Sequence, residues 1–225
     1  MSDIRCISQR IRDIQSGLPP SVRLLAVSKF HSVETIREAY EEGQRFFAEN
    51  RVQELTEKQP HLPADIEWHF IGHLQVNKVK YIIPFAAMIQ SVDSAKIMDE
   101  INRCALKNNR KIKVLLQIHI ALEEHKFGLS FEEAEHLLRE YKTGKWPQIE
   151  IAGLMGMATF TDDQTEIRKE FALLRSYFVE LQKSYFPDDA IFKEISMGMS
   201  DDYPIAIAEG STMVRIGSKI FGNRA

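Results

Sequence analysis

Lys29 ends the run Leu24-Leu25-Ala26-Val27-Ser28-Lys29. A lysine placed where a buried strand stops is either an edge residue that reaches to water or a reactive amine. Desolvation in a barrel mouth lowers an amine's pKa and makes it a nucleophile toward an aldehyde. Two later stretches offer what a phosphorylated aldehyde would need. Ser196-Met197-Gly198-Met199-Ser200 has small residues that let the backbone approach a ligand, with two hydroxyls, and the acids Asp201-Asp202 suit the first turn of a helix. Gly217-Ser218 is a second pair of donors. Each stretch alone reads as a Gly/Ser turn; together they read as a cup for one phosphate. An aldehyde with one phosphate, held as a lysine imine, describes pyridoxal 5′-phosphate. Arg215, two residues before the second donor pair, either faces the ring nitrogen or makes a barrel-end salt bridge. Arginine stays charged, so it would hand that nitrogen no proton, and the ring would be a weak electron sink.

These residues need strands to present them at one end. Strand signals occur at 22–28, 44–48, 66–71, 88–92, 113–120, 149–157, 191–196 and 213–216. One helical pattern separates each from the next: 33–42, 49–58, 74–83, 94–107, 130–141, a long helix from Thr161, and 201–209. An additional helix is expected at 2–16, ended by Gly17 and Pro19-Pro20. Ser130 with Glu133 forms a capping box. Strands that are apolar throughout suit a parallel sheet covered on both faces. Eight such units point to a single-domain α/β fold over 1–225, a (β/α)8 TIM-like barrel with an extra N-terminal helix. The competing fold, an open doubly wound sheet, would bring a phosphate loop near its first strand, and neither G-x-G-x-x-G nor G-x-x-x-x-G-K-[ST] occurs.

Barrel sites lie at the C-terminal strand ends. This rule selects Lys29, Asn50, Gly72-His73, Met155-Gly156-Met157, the 196–200 loop and Arg215–Ser218. His69 and His73 are four apart but fall on either side of a strand end, so no metal site is expected. His119 ends the fifth strand and reads as structural, and Met155 and Met157 read as barrel packing. The 225 residues carry a net charge of −3, with no block of five or six like charges and no apolar stretch near membrane-spanning length. Nucleic acid and membrane are therefore not expected partners. The N-terminus lacks a secretory h-region, and the two cysteines, Cys6 and Cys104, suit a reducing cytoplasm.

AVSK at 26–29, AENRVQE at 48–54, WHFIGHLQVNK at 68–78, GLMGMAT at 153–159, SMGMSDDY at 196–203 and VRIGSKIFG at 214–222 resemble the pyridoxal phosphate homeostasis protein family, similar to the N-terminal domain of alanine racemase. The resemblance runs in order from about 22 to 222. It implies the barrel of fold-type III pyridoxal phosphate proteins, an imine at Lys29, phosphate contacts from Ser196, Ser200 and the Gly217-Ser218 backbone, Arg215 at the ring nitrogen, and Asn50 near the cofactor. Ala48 stands where the family usually has glycine, and His119 where asparagine is common. The expected role is intracellular cofactor homeostasis with no catalytic residue: a monomer that holds the cofactor and serves pyridoxal phosphate-requiring apo-enzymes. The alternatives are an amino-acid racemase and an aldol-type lysine enzyme. Racemisation needs acid–base groups on both faces of Cα, whereas one is evident, and the chain ends at Ala225 with no room for a second domain to bring the other.

Overall fold

Four consecutive apolar residues are buried in β1 (Arg23–Val27) because protein covers both of its faces. Leu24 and Ala26 join the layer beneath the helices. Leu25 and Val27 point inward, where they meet Ala48, Met88, Leu115, Ala152, Met155 and Met213. β1 runs parallel to β2 (Phe46–Glu49) on one side and to β8 (Met213–Ile216) on the other, with Arg23 opposite Met213 and Ala26 opposite Ile216. Between them β3 (Glu67–Phe70), β4 (Met88–Val92), β5 (Ile112–Ile118), β6 (Ile149–Gly156) and β7 (Glu194–Ser196) follow in chain order and close the barrel. This computed structural model describes residues 6–123 and 127–222; residues 2–5 of the expected first helix lie outside the described residues.

The helices form the outer layer. α1 (Ile7–Gly17) is the additional N-terminal helix and buries Ile11 and Ile14. It packs on α2 (Val33–Glu41), whose N-cap Ser32 accepts the Thr35 N–H. α3 (Val52–Lys58) starts later than the polar pattern suggests, since Glu49 stays in β2. The segment after β3 splits into a 3-10 turn (Val76–Lys78) and a short α4 (Val79–Ile82) before Pro84. α5 (Ala95–Lys107) and α6 (Phe131–Lys142) follow, the latter with the expected capping box. α7 (Gln164–Tyr185) begins at Asp163, not Thr161, because the Asp163 carboxylate accepts two first-turn N–H groups. α8 (Tyr203–Ala208) and α9 (Ser218–Phe221) sit around the last strand; α9 is not apparent in the sequence pattern. No described helix is long and apolar enough to cross a membrane.

Two local departures shape the barrel. β7 has three residues, not six, because Phe192 turns outward to stack on Phe178 and Phe186, with centroids 4.9 and 4.3 Å away. Gly153 interrupts β6 at φ +150°, and a Cβ there would lie 1.8 Å from the Glu194 carbonyl oxygen. Glycine is required at this bulge, opposite the register shift between Val114 and Leu115 of β5.

Candidate functional site

The C-terminal strand ends enclose a cavity of about 670 Å3, lined in part by Lys29, Asn50, Ser200, Arg215, Gly217 and Ser218. Six of the seven residues expected from the sequence thus come together, although they lie as far apart as positions 29 and 218. Ser200 is buried, and its Oγ accepts the Gly217 N–H at 3.4 Å, which joins the two Gly/Ser loops. A Cβ on Gly217 would lie 3.1 Å from the Val27 carbonyl oxygen, so the last loop packs tightly against the end of β1. The Asn50 Oδ1 is buried without a hydrogen-bond partner among the described residues, an acceptor available to a ligand donor. Asp201 and Asp202 were expected in a helix first turn, but α8 starts after them: Asp202 stands at its N-cap position, where its carboxylate accepts the Met199 N–H and bonds no first-turn amide.

Ser196 is the exception. It does not line the cavity; it is completely buried below it, inside the barrel. Its Oγ donates to Gln90 Oε1 at 2.7 Å and accepts from Arg215 Nη1 at 2.7 Å. As the last residue of a three-residue strand, it has its side chain directed inward by the barrel's alternation. Ser196 therefore holds Arg215 and does not join the cup. Arg215 Nη2 also donates to the Gly156 carbonyl at 2.9 Å. Burial pushes the guanidinium pKa down to about 10, opposed by Asp202, so it remains cationic at neutral pH. The polar chain continues downward, as Gln90 Nε2 lies 2.8 Å from His69 Nδ1. Burial, with the charges of Arg23 and Lys113, lowers His69 to about 3, so the ring is neutral and Nδ1 accepts from the amide.

The backbone around Lys29 is held by side chains that the sequence reading passed over. The Ser28 carbonyl accepts the His31 N–H at 3.1 Å, closing a tight turn with Lys29 and Phe30 at its centre. Phe30 has φ +68°, a left-handed conformation that costs a bulky residue roughly 1–2 kcal/mol. Three features hold it there: its N–H donates to Glu54 Oε1, the Arg51 guanidinium lies 5.1 Å from its ring centre, and the turn is anchored from below. The anchor is Lys58, whose Nζ donates to the Ser28 carbonyl (2.9 Å), Glu49 Oε1 (2.8 Å) and Glu54 Oε1 (2.6 Å). Glu49 also accepts from Ser28 Oγ at 2.7 Å. Burial pushes the Glu49 carboxyl above the usual carboxylate range, against the pull of Lys58.

The remaining candidates separate. His69 lies inside the barrel, whereas His73 lines the cavity, sits 3.3 Å from an Asp93 oxygen and stacks on Phe127 at 4.1 Å. His119 lies past the end of β5 and does not line this cavity; its Nε2 is 3.0 Å from the Glu123 carbonyl, and Gln117 lines the wall in its place. Met155 packs inside the barrel, Met157 reaches the cavity, and Ala48 lies in the barrel interior. The wall also includes Met199 of the 196–200 loop, Asp201 and, from outside the expected stretches, His31. Burial, then the Lys58 charge, lowers the His31 pKa, with Glu54 opposing. Of these, His31 was the one missed, and its signal in the sequence is its place two residues past Lys29.

The family model described as alanine racemase, N-terminal domain, matches residues 2–225. The chain is 41% identical over 203 residues to the pyridoxal phosphate homeostasis protein of Aquifex aeolicus, covering 90% of this chain and 87% of that one. It is 40% identical over 231 residues to the Homo sapiens protein of the same name, covering 98% and 82%. Among solved structures, PipY of Synechococcus elongatus without PLP superposes with a TM-score of 0.90 at 39% identity, covering 96% of this chain and all (100%) of that one. The form of PipY with PLP bound gives a TM-score of 0.85. The alanine racemase of Clostridium difficile shares the fold at a TM-score of 0.79 and 16% identity; this chain covers 58% of it.

Proposed function

The chain belongs to the pyridoxal phosphate homeostasis proteins, and from that premise we propose that it binds pyridoxal 5′-phosphate in the barrel mouth, as an imine of Lys29, and holds it without robust turnover. The observation that carries this reading is the meeting in one cavity of an amine, a buried guanidinium and two Gly/Ser loops. PipY, solved with PLP bound, supports it. The residues present fit the group. Ser200, the Gly217 and Ser218 backbone and the Ser218 hydroxyl would take the phosphate. Asn50, with its unpartnered Oδ1, would accept a hydrogen bond from the ligand's side. Lys29 Nζ would add to the aldehyde carbon, one water leaving as the C=N bond forms. When bound, the group supplies a carbon that exchanges between amines and an electron-withdrawing ring.

Arg215 tunes that ring toward storage. It is a donor only, it stays charged, and Ser196 and the Gly156 carbonyl fix its orientation. A ring nitrogen facing it stays unprotonated, which weakens electron withdrawal. The same reading makes the protein a single-domain monomer of the cytoplasm that passes its cofactor to apo-enzymes. The test has two parts. The visible band of a lysine imine should appear on adding pyridoxal phosphate and transfer to an added apo-enzyme. Deuterium uptake at Cα of amino acids in D2O should stay at the rate of the free cofactor. Rapid uptake would replace the carrier reading by a racemase.

A further inference from the structure

The ion cluster beneath the Lys29 turn does more than join α3 to the barrel. We propose that Lys58 and Glu54, with Glu49, are positioning residues for Lys29: they fix the peptide on both sides of the amine and thereby set how tightly the cofactor is retained. The inference rests on the assignment of Lys29 as the cofactor's lysine. Its basis is where the cluster's bonds end. Lys58 Nζ holds the Ser28 carbonyl, immediately before Lys29, at 2.9 Å. Glu54 Oε1 accepts the Phe30 N–H, immediately after it. Glu49 Oε1 takes the Ser28 hydroxyl at 2.7 Å. None of the three acids and bases lines the cavity, so they act through the turn and not on the ligand.

The choice of residues supports a positioning role. Glu49 is fully buried and Lys58 only 7% exposed, and two carboxylates share one ammonium. A buried ion cluster of this kind is a poor source of stability compared with apolar packing of the same volume, but it is selective about geometry. It is spent on a turn that keeps a phenylalanine at φ +68°. Strained backbone beside a reactive side chain persists only where its surroundings over-determine it. Helix α3 is thus the splint for the Lys29 turn, and its position relative to β2 is transmitted to the amine.

The experiment compares Lys58→Met, Glu54→Ala and Lys58→Arg with Leu55→Ala. Leu55 is a fully buried core residue on the same helix, so its truncation lowers stability without removing a cluster bond. Each protein is loaded with pyridoxal phosphate. Release into excess apo-enzyme, the pH midpoint of the imine band and the thermal midpoint are measured, together with amide exchange of residues 28–31 before loading. The expected result is release about tenfold faster in Lys58→Met and Glu54→Ala, as expected for a misplaced reacting group. The band's pH midpoint should move by about half a unit or more. Exchange in the turn should rise, Lys58→Arg should recover part of the wild-type rate, and Leu55→Ala should lower only the thermal midpoint. Wild-type release and midpoints in Glu54→Ala would overturn the proposal, as would equal effects in Leu55→Ala. Glu54→Ala also decides the question if Lys58→Met fails to fold. Retention of the imine band in Lys29→Ala would instead overturn the lysine assignment, a separate failure.

Discussion

The two ends of this barrel hold similar side chains to different effect. At the N-terminal strand ends, Arg23, Glu67, Lys111, Lys113, Glu150, Lys193 and Glu194 line a cavity of about 490 Å3. Four of these charges pair: the half-exposed Arg23 lies 3.4 Å from the buried Glu194, and Lys111 lies 4.0 Å from Glu150. At the mouth, Arg215 is 3% exposed and bonds to a hydroxyl and a carbonyl, not to a carboxylate, so its charge is uncancelled by a direct partner. The mouth also keeps Asn50 Oδ1, an acceptor without a partner among the described residues. Net composition does not tell the two cavities apart. What does is whether a charge has an opposite charge beside it, or is buried and directed at space a ligand can fill.

The largest break in this comparison is expected from Arg215→Ala. It removes the donor to Ser196 Oγ, which keeps its bond to Gln90, and the donor to the Gly156 carbonyl, and leaves a cavity in the barrel, at a cost of about 2–4 kcal/mol in urea unfolding. Cofactor affinity should fall about tenfold or more, the worth of one charge-assisted bond, as measured by titration of the visible band.

A smaller effect sharpens the link between the ends. The chain from Arg215 through Ser196 and Gln90 reaches His69, which also lines the floor cavity. His69 is held at about 3 against an ordinary 6.5, so the unfolded chain binds a proton in that window which the native barrel does not. Its contribution is complete above the upper value and is lost as pH falls toward the lower one, at up to about 1.4 kcal/mol per pH unit. Urea midpoints measured across that range should fall with pH, and His69→Gln should flatten the fall.

The smallest effect is expected at the floor. Lys111→Ala should change stability by no more than about 1 kcal/mol, as for other exposed pairs, and Arg23→Ala by somewhat more, because it leaves the buried Glu194 carboxylate without its cation. The imine band and the rate of cofactor release should be unchanged in both variants. A clear loss of cofactor from either would mean that the floor is coupled to the mouth more strongly than a neutral His69 allows.

The eight-strand pattern was legible because a covered strand is mostly apolar, and Lys29 stood out as the charge just past the first polar residue, Ser28. Gly217 and Ser218 were legible because they follow the end of β8, and Arg215, inside that strand, by its place two residues before them. Ser196 was misplaced because a hydroxyl at a strand end reads alike whether it faces the mouth or the interior, and three residues are too few to show the alternation. The Glu49–Lys58 cluster was hidden for a related reason. Glu54 and Lys58 have the i, i+4 spacing of a solvated helix face, Glu49 ends β2, and only the pairing of β1 with β2 brings the Ser28 carbonyl over Lys58. α9 has four residues, below the length at which periodicity is visible.

The central claim is that Lys29 is the amine that holds the cofactor. Borohydride reduction of the loaded protein turns the imine into a stable secondary amine, and peptide mass mapping then locates it. The account predicts one phosphopyridoxyl group per chain, on Lys29, and loss of both label and visible band in Lys29→Ala. A label on another lysine, such as Lys58 or Lys219, or an undiminished band in Lys29→Ala, would contradict it.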